Sequence, residues 1–151
     1  MAPRMRPRAF TLVEILIVVV ILGILAAIVI PQFSNASQES IKAALRGQMK
    51  QIDDQVEVYR VNNAGLLPTV DPVAPFGAGG EWGVMVSARY LRTEPFNMYA
   101  GGSVVGAGDG AVASAAAKGS AVGWFFVITG GTRLDVFAAG YEEATNRLSN
   151  E

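Results

Sequence analysis

Hydrophobic positions divide the chain into blocks with different periods. From Ile15 to Ile30 no side chain is polar. At about 1.5 Å per residue, Phe10 to Pro31 makes a helix roughly 33 Å long, enough to cross the hydrocarbon core of a bilayer. Beyond Pro31 the pattern turns amphipathic: Ile41, Leu45, Met49, Ile52, Val56 and Tyr59 recur at steps of four and three, a stripe one helix face wide. Glu39, Lys42, Arg46, Lys50, Asp54 and Arg60 fall largely off it, with Lys50 and Asp54 at the i,i+4 spacing of an ion pair. Asn62-Asn63-Ala64-Gly65 supplies the stop, Gly65 being suited to a left-handed cap. The pattern predicts one helix of about 50 residues with two weak points. Pro31 withdraws an N–H from the carbonyl of Ala27, and Gly23 costs about 1 kcal/mol of helix propensity relative to Ala.

The remainder reads as a small α+β unit. Pro68, Pro72, Pro75, Gly77, Gly79 and Gly80 punctuate residues 66–80 as a surface loop. Residues 82–90 predict a short helix packed on the long one, with Trp82, Met85 and Tyr90 in the core. Residues 100–123 are dominated by Gly, Ala, Ser and Val, which predicts a mobile insertion. Two β-rich runs, 124–129 and 132–137, flank Gly130-Gly131 and predict a hairpin with a two-residue turn. Leu134, Val136 and Ala138 alternate with Arg133, Asp135 and Phe137, so one sheet face is covered, and the helix stripe is the natural cover. The polar tail, 141–151, reads as exposed and briefly helical.

Charge changes the picture at the N-terminus. Arg4, Arg6 and Arg8 precede the apolar run and no acid does, which places the N-terminus in the cytoplasm and sends the rest of the chain out. Glu14 lies inside the run. An acid there costs on the order of 2.5–3.5 kcal/mol at mid-depth and less near the edge, so it needs a partner. A cut before Phe10 would create an ammonium group one helical turn away. At about 4 Å and an effective dielectric near 20 that attraction is roughly 4 kcal/mol, comparable to the cost of holding Glu14 in lipid. The ammonium that meets it is the chain's own or a neighbour's.

Composition excludes more than it suggests. Cysteine and histidine are absent, which removes disulfides, thiolate metal sites, the commonest general base and one common nucleophile. No phosphate-cradling glycine pattern follows a strand, and Asp53 and Asp54 are adjacent, so they diverge on a helix. Both facts argue against an enzyme. Subtracting the charges of Arg4, Arg6 and Arg8 from the formal net charge of −1 leaves −4, which gives nucleic acid no electrostatic footprint.

The stretch Ala9-Phe10-Thr11-Leu12-Val13-Glu14 and its apolar run resembles the class III signal of type IV pilins and type II secretion pseudopilins. The resemblance implies cleavage by a prepilin peptidase between Ala9 and Phe10, methylation of the new N-terminus at Phe10, and retention of the helix as the core of a helical filament. Glu14, with Thr11, becomes the assembly residue, meeting a neighbour's N-terminus. The family usually has Gly before the cut where this chain has Ala9. Its filaments commonly loosen the helix between the equivalents of Gly23 and Pro31. Tyr59-Arg60-Val61-Asn62-Asn63 through Leu67-Pro68-Thr69 is similar to the Y-x-x-D-N…Y-P-T segment of major pseudopilins, with Asn62 for the Asp and Leu67 for the Tyr. Residues 88–95 are similar to their Y-L-x-x-x-P stretch.

The resemblance implies an α+β pilin fold: a long N-terminal helix, membrane-spanning in its first half, packed on a small antiparallel sheet. The divisions are a leader (1–9), a membrane and filament-core helix (10–31), its amphipathic continuation (32–65) and a small domain (66–151). The chain would be a single-pass inner-membrane protein with its C-terminal domain in the periplasm. Implied partners are further copies of itself, the prepilin peptidase, an inner-membrane assembly platform, minor pseudopilins and lipid. Lack of a disulfide leans toward the major pseudopilin branch, whose members carry a calcium-binding loop where residues 100–123 stand. Calcium wants six to eight oxygens, and only Asp109 and Asp135 offer carboxylates there, so no cofactor is predicted. Three alternatives stay open: a type IV pilus subunit, an uncleaved anchor on a non-polymerising periplasmic module, and an ordinary secretory signal cut after Ala36. N-terminal sequencing separates the processing routes.

Overall fold

The computed structural model describes residues 10–151. Arg4, Arg6, Arg8 and Ala9 lie outside the described residues. The chain divides into two compact units, one up to Ser37 and one from Gln38 to Glu151. Helix α1, Leu12–Asn62, contains Pro31 and passes through it and Gly23 without a break. A proline substituent crowds only the preceding turn, and one missing N–H leaves the other hydrogen bonds of a long helix in place.

The first unit is helix alone. Its apolar side chains are exposed throughout: Phe10 at 81%, Leu12 at 82%, Val29 at 42% and Phe33 at 72%. Exposure all round is the opposite of the second unit, where the stripe Leu45, Met49, Ile52, Val56 and Tyr59 is buried in one core with Trp82, Met85, Trp124, Leu134 and Val136. Lys50 and Asp54 pair at 3.6 Å on the solvent side.

Strands β1 (Val105–Ala107), β2 (Trp124–Thr129) and β3 (Arg133–Ala138) form a sheet in the order β1-β2-β3. The hairpin β2–β3 is antiparallel, as its sequence predicts, with Leu134, Val136 and Ala138 facing the core. The sheet as a whole is mixed, because β1 adds parallel to β2, pairing Val105 with Trp124 and Ala107 with Phe126. Overall this is the α+β arrangement of a pilin fold.

Five local expectations need correcting. Residues 100–123 are built into the fold: β1 and the short helix α3 (Gly110–Ser114) come from them, and Val105 and Ala113 are buried. Small residues permit this, since a Cβ at Gly108 would stand 2.9 Å from the ring of Phe125. The hairpin turn is longer than two residues. Gly130 and Gly131 both have positive φ, as a primed turn requires, yet the ladder resumes with Thr129 opposite Arg133, leaving Thr132 bulged. The tail forms a two-stranded ladder, β4 (Tyr141–Glu142) with β5 (Arg147–Leu148), because Tyr141 and Leu148 are buried. Within residues 66–80, the 3₁₀ turns Pro68–Val70 and Ala78–Gly80 hold Leu67, Pro68 and Phe76 inside. Finally, the helix in residues 82–90 shrinks to a single turn, α2 (Val84–Ser87), although Trp82 and Met85 are fully buried and Tyr90 packs against the core.

The core is rich in aromatic rings, and both of its indole N–H groups find acceptors. Trp82 and Trp124 meet edge-on with centroids 6.0 Å apart. Their indole N–H groups donate to the carbonyls of Ser103 at 2.7 Å and Pro95 at 2.8 Å. Asn97, with no exposed surface, donates to the carbonyls of Gly123 and Ala139 and accepts from the N–H groups of Tyr99 and Ala100.

Candidate functional site

Thr11 and Glu14 form a reciprocal cap on the first turn of α1. The Thr11 N–H donates to Glu14 Oε2 at 2.8 Å, the Thr11 hydroxyl donates to the same oxygen at 2.9 Å, and the Glu14 N–H donates to Thr11 Oγ1 at 3.2 Å. This is the capping-box arrangement, in which an N-cap hydroxyl and an acid three residues on each satisfy a donor that the helix leaves without a partner. The acid also sits at the positive end of the helix dipole, worth about 0.3–1 kcal/mol at an exposed terminus. The signal was in the sequence: Thr-x-x-Glu ahead of an apolar run. Reading Glu14 only as a charge awaiting an ammonium group overlooked it. Both bonds to the carboxylate use Oε2, so Oε1 is not consumed by the cap.

Phe10 precedes this cap and is exposed. At Gly23 an added Cβ would meet nothing within 4 Å, so the glycine leaves a shallow notch in the apolar surface. Asp109 and Asp135 are not brought together. Asp109 caps α3, accepting from the N–H groups of Ala111 and Val112. Asp135, on β3, pairs with Arg133 at 2.6 Å and accepts from the Thr129 hydroxyl. Among the described residues no three His, Cys, Asp or Glu side chains converge on one point.

Two polar constellations in the second unit escaped the sequence reading. The first is a cleft of about 330 Å³ between α1 and the hairpin, lined by Asp53, Glu57, Arg60, Arg133 and Asp135. Arg60 holds the hairpin by donating to the carbonyl of bulged Thr132 at 3.0 Å and pairs with Glu57 at 3.0 Å. Arg133 is taken by Asp135, and among the described residues Asp53 makes no ion pair. Desolvation at the cleft wall, then the nearby Asp135 and Glu143 carboxylates, push the Asp53 carboxyl up to about 6 against the opposing pull of Arg133. The second is Lys42, whose Nζ is buried between Glu39 at 3.0 Å and Glu151 at 2.7 Å. Its pKa is raised, chiefly by Glu151. Neither constellation holds a nucleophile with an adjacent base.

The pseudopilin-like segment at the end of α1 is a packing device. Tyr59 donates its hydroxyl to Asp71 at 3.1 Å and meets Tyr90 edge-on at 5.1 Å, while Asn63 donates to the Tyr59 carbonyl at 2.8 Å. Burial, then Asp71, raises the Tyr59 pKa; the N–H groups of Ala74 and Val73 hold Asp71 below the usual carboxylate range.

A helix long and apolar enough to cross a membrane, capped by Thr11 and Glu14, is joined in sequence to a small α+β unit, an arrangement that resembles the type IV pilin-like class. The comparisons agree. The prokaryotic N-terminal methylation motif matches residues 4–30. The chain is similar to the type II secretion system core protein G of Pseudomonas aeruginosa, 40% identical over 60 residues covering 40% of this chain and 42% of the relative. The core protein G of Dickeya chrysanthemi is 34% identical over 66 residues, 44% of this chain and 42% of that one. The type IV narrow pilus major component PilA5 of Thermus thermophilus is 34% identical over 76 residues, 50% of this chain and 65% of that one. The match thus spans less than half the length of the two secretion-system relatives. No solved structure matches the chain.

Proposed function

We propose that the chain is a structural, non-catalytic subunit of a type II secretion pseudopilus. A prepilin peptidase cuts between Ala9 and Phe10, the new N-terminus is methylated, and the helix is stored in the inner membrane with the second unit in the periplasm. It then passes from lipid into the core of a filament that drives protein export. The observation that carries this reading is the exposure of every large apolar side chain from Phe10 to Ile30. Each such side chain gains about 1.5–3 kcal/mol on leaving water, so the helix has two stable environments: lipid, or neighbouring copies of itself. In the polymer the Oε1 oxygen of Glu14 accepts from the ammonium group of a neighbouring Phe10, setting the axial register, and the helix loosens between Gly23 and Pro31. Calcium, if bound, would need oxygens beyond Asp109 and Asp135.

The similarity to PilA5 favours a second reading, a type IV pilus subunit with the same processing and the same packed core. Mass spectrometry of the mature N-terminus tests processing; a start at methylated Phe10 is expected, and a start at Ser37 refutes it. Imaging and cross-linking of membranes then test assembly. Ladders of cross-linked copies are expected, and species no larger than dimers would indicate a membrane-anchored module that does not polymerise. Glu14→Ala is expected to abolish the ladders; unchanged ladders would remove its docking role.

A further inference from the structure

The second unit carries two separate surfaces of complementary character. The first is an apolar groove of about 540 Å³ lined by Met49, Ala111, Phe137 and Tyr141 and rimmed by Glu142 and Glu143. The second is an exposed apolar pair, Phe96 and Met98, with the exposed Arg92 and Glu94 lining the surface beside Phe96 and the exposed Arg89 earlier in the same segment. Among the described residues none of these charges makes an ion pair, whereas Lys42, Lys50, Arg60 and Arg133 all do.

Phe96 is held rigidly. The carbonyl of Pro95 accepts from Trp124 Nε1, and the carbonyl of Phe96 accepts from Gln48 Nε2 at 3.2 Å. The N–H of the fully buried Asn97 donates to Gly102 at 2.9 Å. Phe96 and Met98 thus flank a fixed, buried residue while staying 53% and 58% exposed. An apolar side chain carried on a fixed backbone loses less entropy on being covered than one on a mobile loop.

The two surfaces meet α1 at different residues. The groove touches the helix at Met49, and the Phe96 segment borders it at Gln48, Gln51 and Ile52, which stand about 100°, 160° and 60° from Met49 around the helix axis. The two patches share no lining residue, and a contact between different patches repeats from copy to copy, as a ring where the rotation closes and as an open helical array where it does not.

We propose that Phe96 and Met98 of one copy seat in the groove of a second copy, with Arg89 and Arg92 against Glu142 and Glu143. This rests on the filament reading and assigns the contact that joins the globular units. Glu142 and Glu143 outnumber Arg147, the ladder partner of Glu142, at the groove, and Arg89 and Arg92 outnumber Glu94 in the Phe96 segment; that opposite balance, together with apolar helices that require copies side by side, names a second copy of this chain as the occupant.

The chain has no cysteine, so an introduced pair reports without background. Full-length chain carrying Met98→Cys and Ala144→Cys, expressed in its native membrane and oxidised, is expected to give a ladder of disulfide-linked copies, while each single variant gives dimers at most. Arg92→Glu or Glu143→Arg should each lower the ladder at least tenfold, and the two together should restore it. Filaments seen by electron microscopy with no ladder would overturn this contact and leave the filament reading standing. A disulfide closing within one chain would show that positions 98 and 144 meet inside a single copy and would overturn the proposal. Absence of any filament from the unsubstituted chain would overturn both readings.

Discussion

Lys42 Nζ and Glu151 Oε2 lie 2.7 Å apart, fastening the tail ladder to α1 through a lysine whose side chain is only 7% exposed. Glu39 completes the site from the preceding turn. The pair sets a pH window. Glu151 is lowered from about 4.5, chiefly by Lys42, so its contribution is full above that value and is lost as pH falls through the lowered one. Lys42 is raised from about 10.5, so its contribution is full below that value and is lost as pH rises through the raised one. Glu151→Gln should therefore lower the melting temperature at neutral pH and make no difference at strongly acid pH. Thermal melts across the two conditions check this.

Asn97 is the least replaceable polar residue in the core. Asn97→Ala strips partners from the carbonyls of Gly123 and Ala139 and from the N–H groups of Tyr99 and Ala100. Each buried group left unsatisfied costs about 1–3 kcal/mol, so a loss of at least about 3 kcal/mol is expected in urea unfolding of the second unit.

Asp53 behaves in the opposite sense to Glu151. Its folded pKa of about 6 exceeds the ordinary 3.8, so the folded state holds the proton more tightly and stability falls as pH rises between those values. Asp53→Asn should stabilise by about 1 kcal/mol above pH 7, a figure reduced for the side chain's contact with solvent, and be neutral below pH 4. Equal stabilisation at both pH values would show that charge is not the cause.

Ala64 occupies a left-handed conformation, φ 54°, where α1 ends, and Gly65 N–H reaches back to the Arg60 carbonyl at 2.8 Å. The sequence pointed to Gly65 as the left-handed residue; the conformation begins one position earlier. An L-residue with a Cβ costs about 1–2 kcal/mol in that region. Ala64→Gly should then raise stability by about 1 kcal/mol, measured by calorimetry.

The cap at Thr11 offers a test independent of Glu14 itself. Thr11→Val keeps the branched shape but removes the hydroxyl that both donates to and accepts from Glu14. Helix content near the N-terminus in detergent should fall, at a cost of about 1 kcal/mol. Thr11→Ser should restore it.

Periodic elements were the most legible. The stripe from Leu45 to Tyr59, the alternation from Leu134 to Ala138 and the apolar run each repeat one physical requirement many times, so a single odd residue such as Pro31 does not obscure them. Residues 100–123 were misread for the converse reason. Their glycines and alanines carry almost no hydrophobic signal, yet they bring β1 close enough to pair with β2 beneath the ring of Phe125. That closeness is a property of the partner strand. The Arg60–Thr132 and Lys42–Glu151 contacts span 72 and 109 positions and follow only from the finished topology. The Thr11–Glu14 cap was local and available; attention to membrane cost hid it.

The sheet has two borders, and neither invites a stranger. β1 is three residues long with a glycine at its centre, and β3 carries Arg133 and Asp135. Copies crowded along the proposed filament would meet at concentrations that drive exposed strands to zip together irreversibly. Truncating one border and charging the other keeps that route closed and leaves any association to side-chain packing, which is reversible.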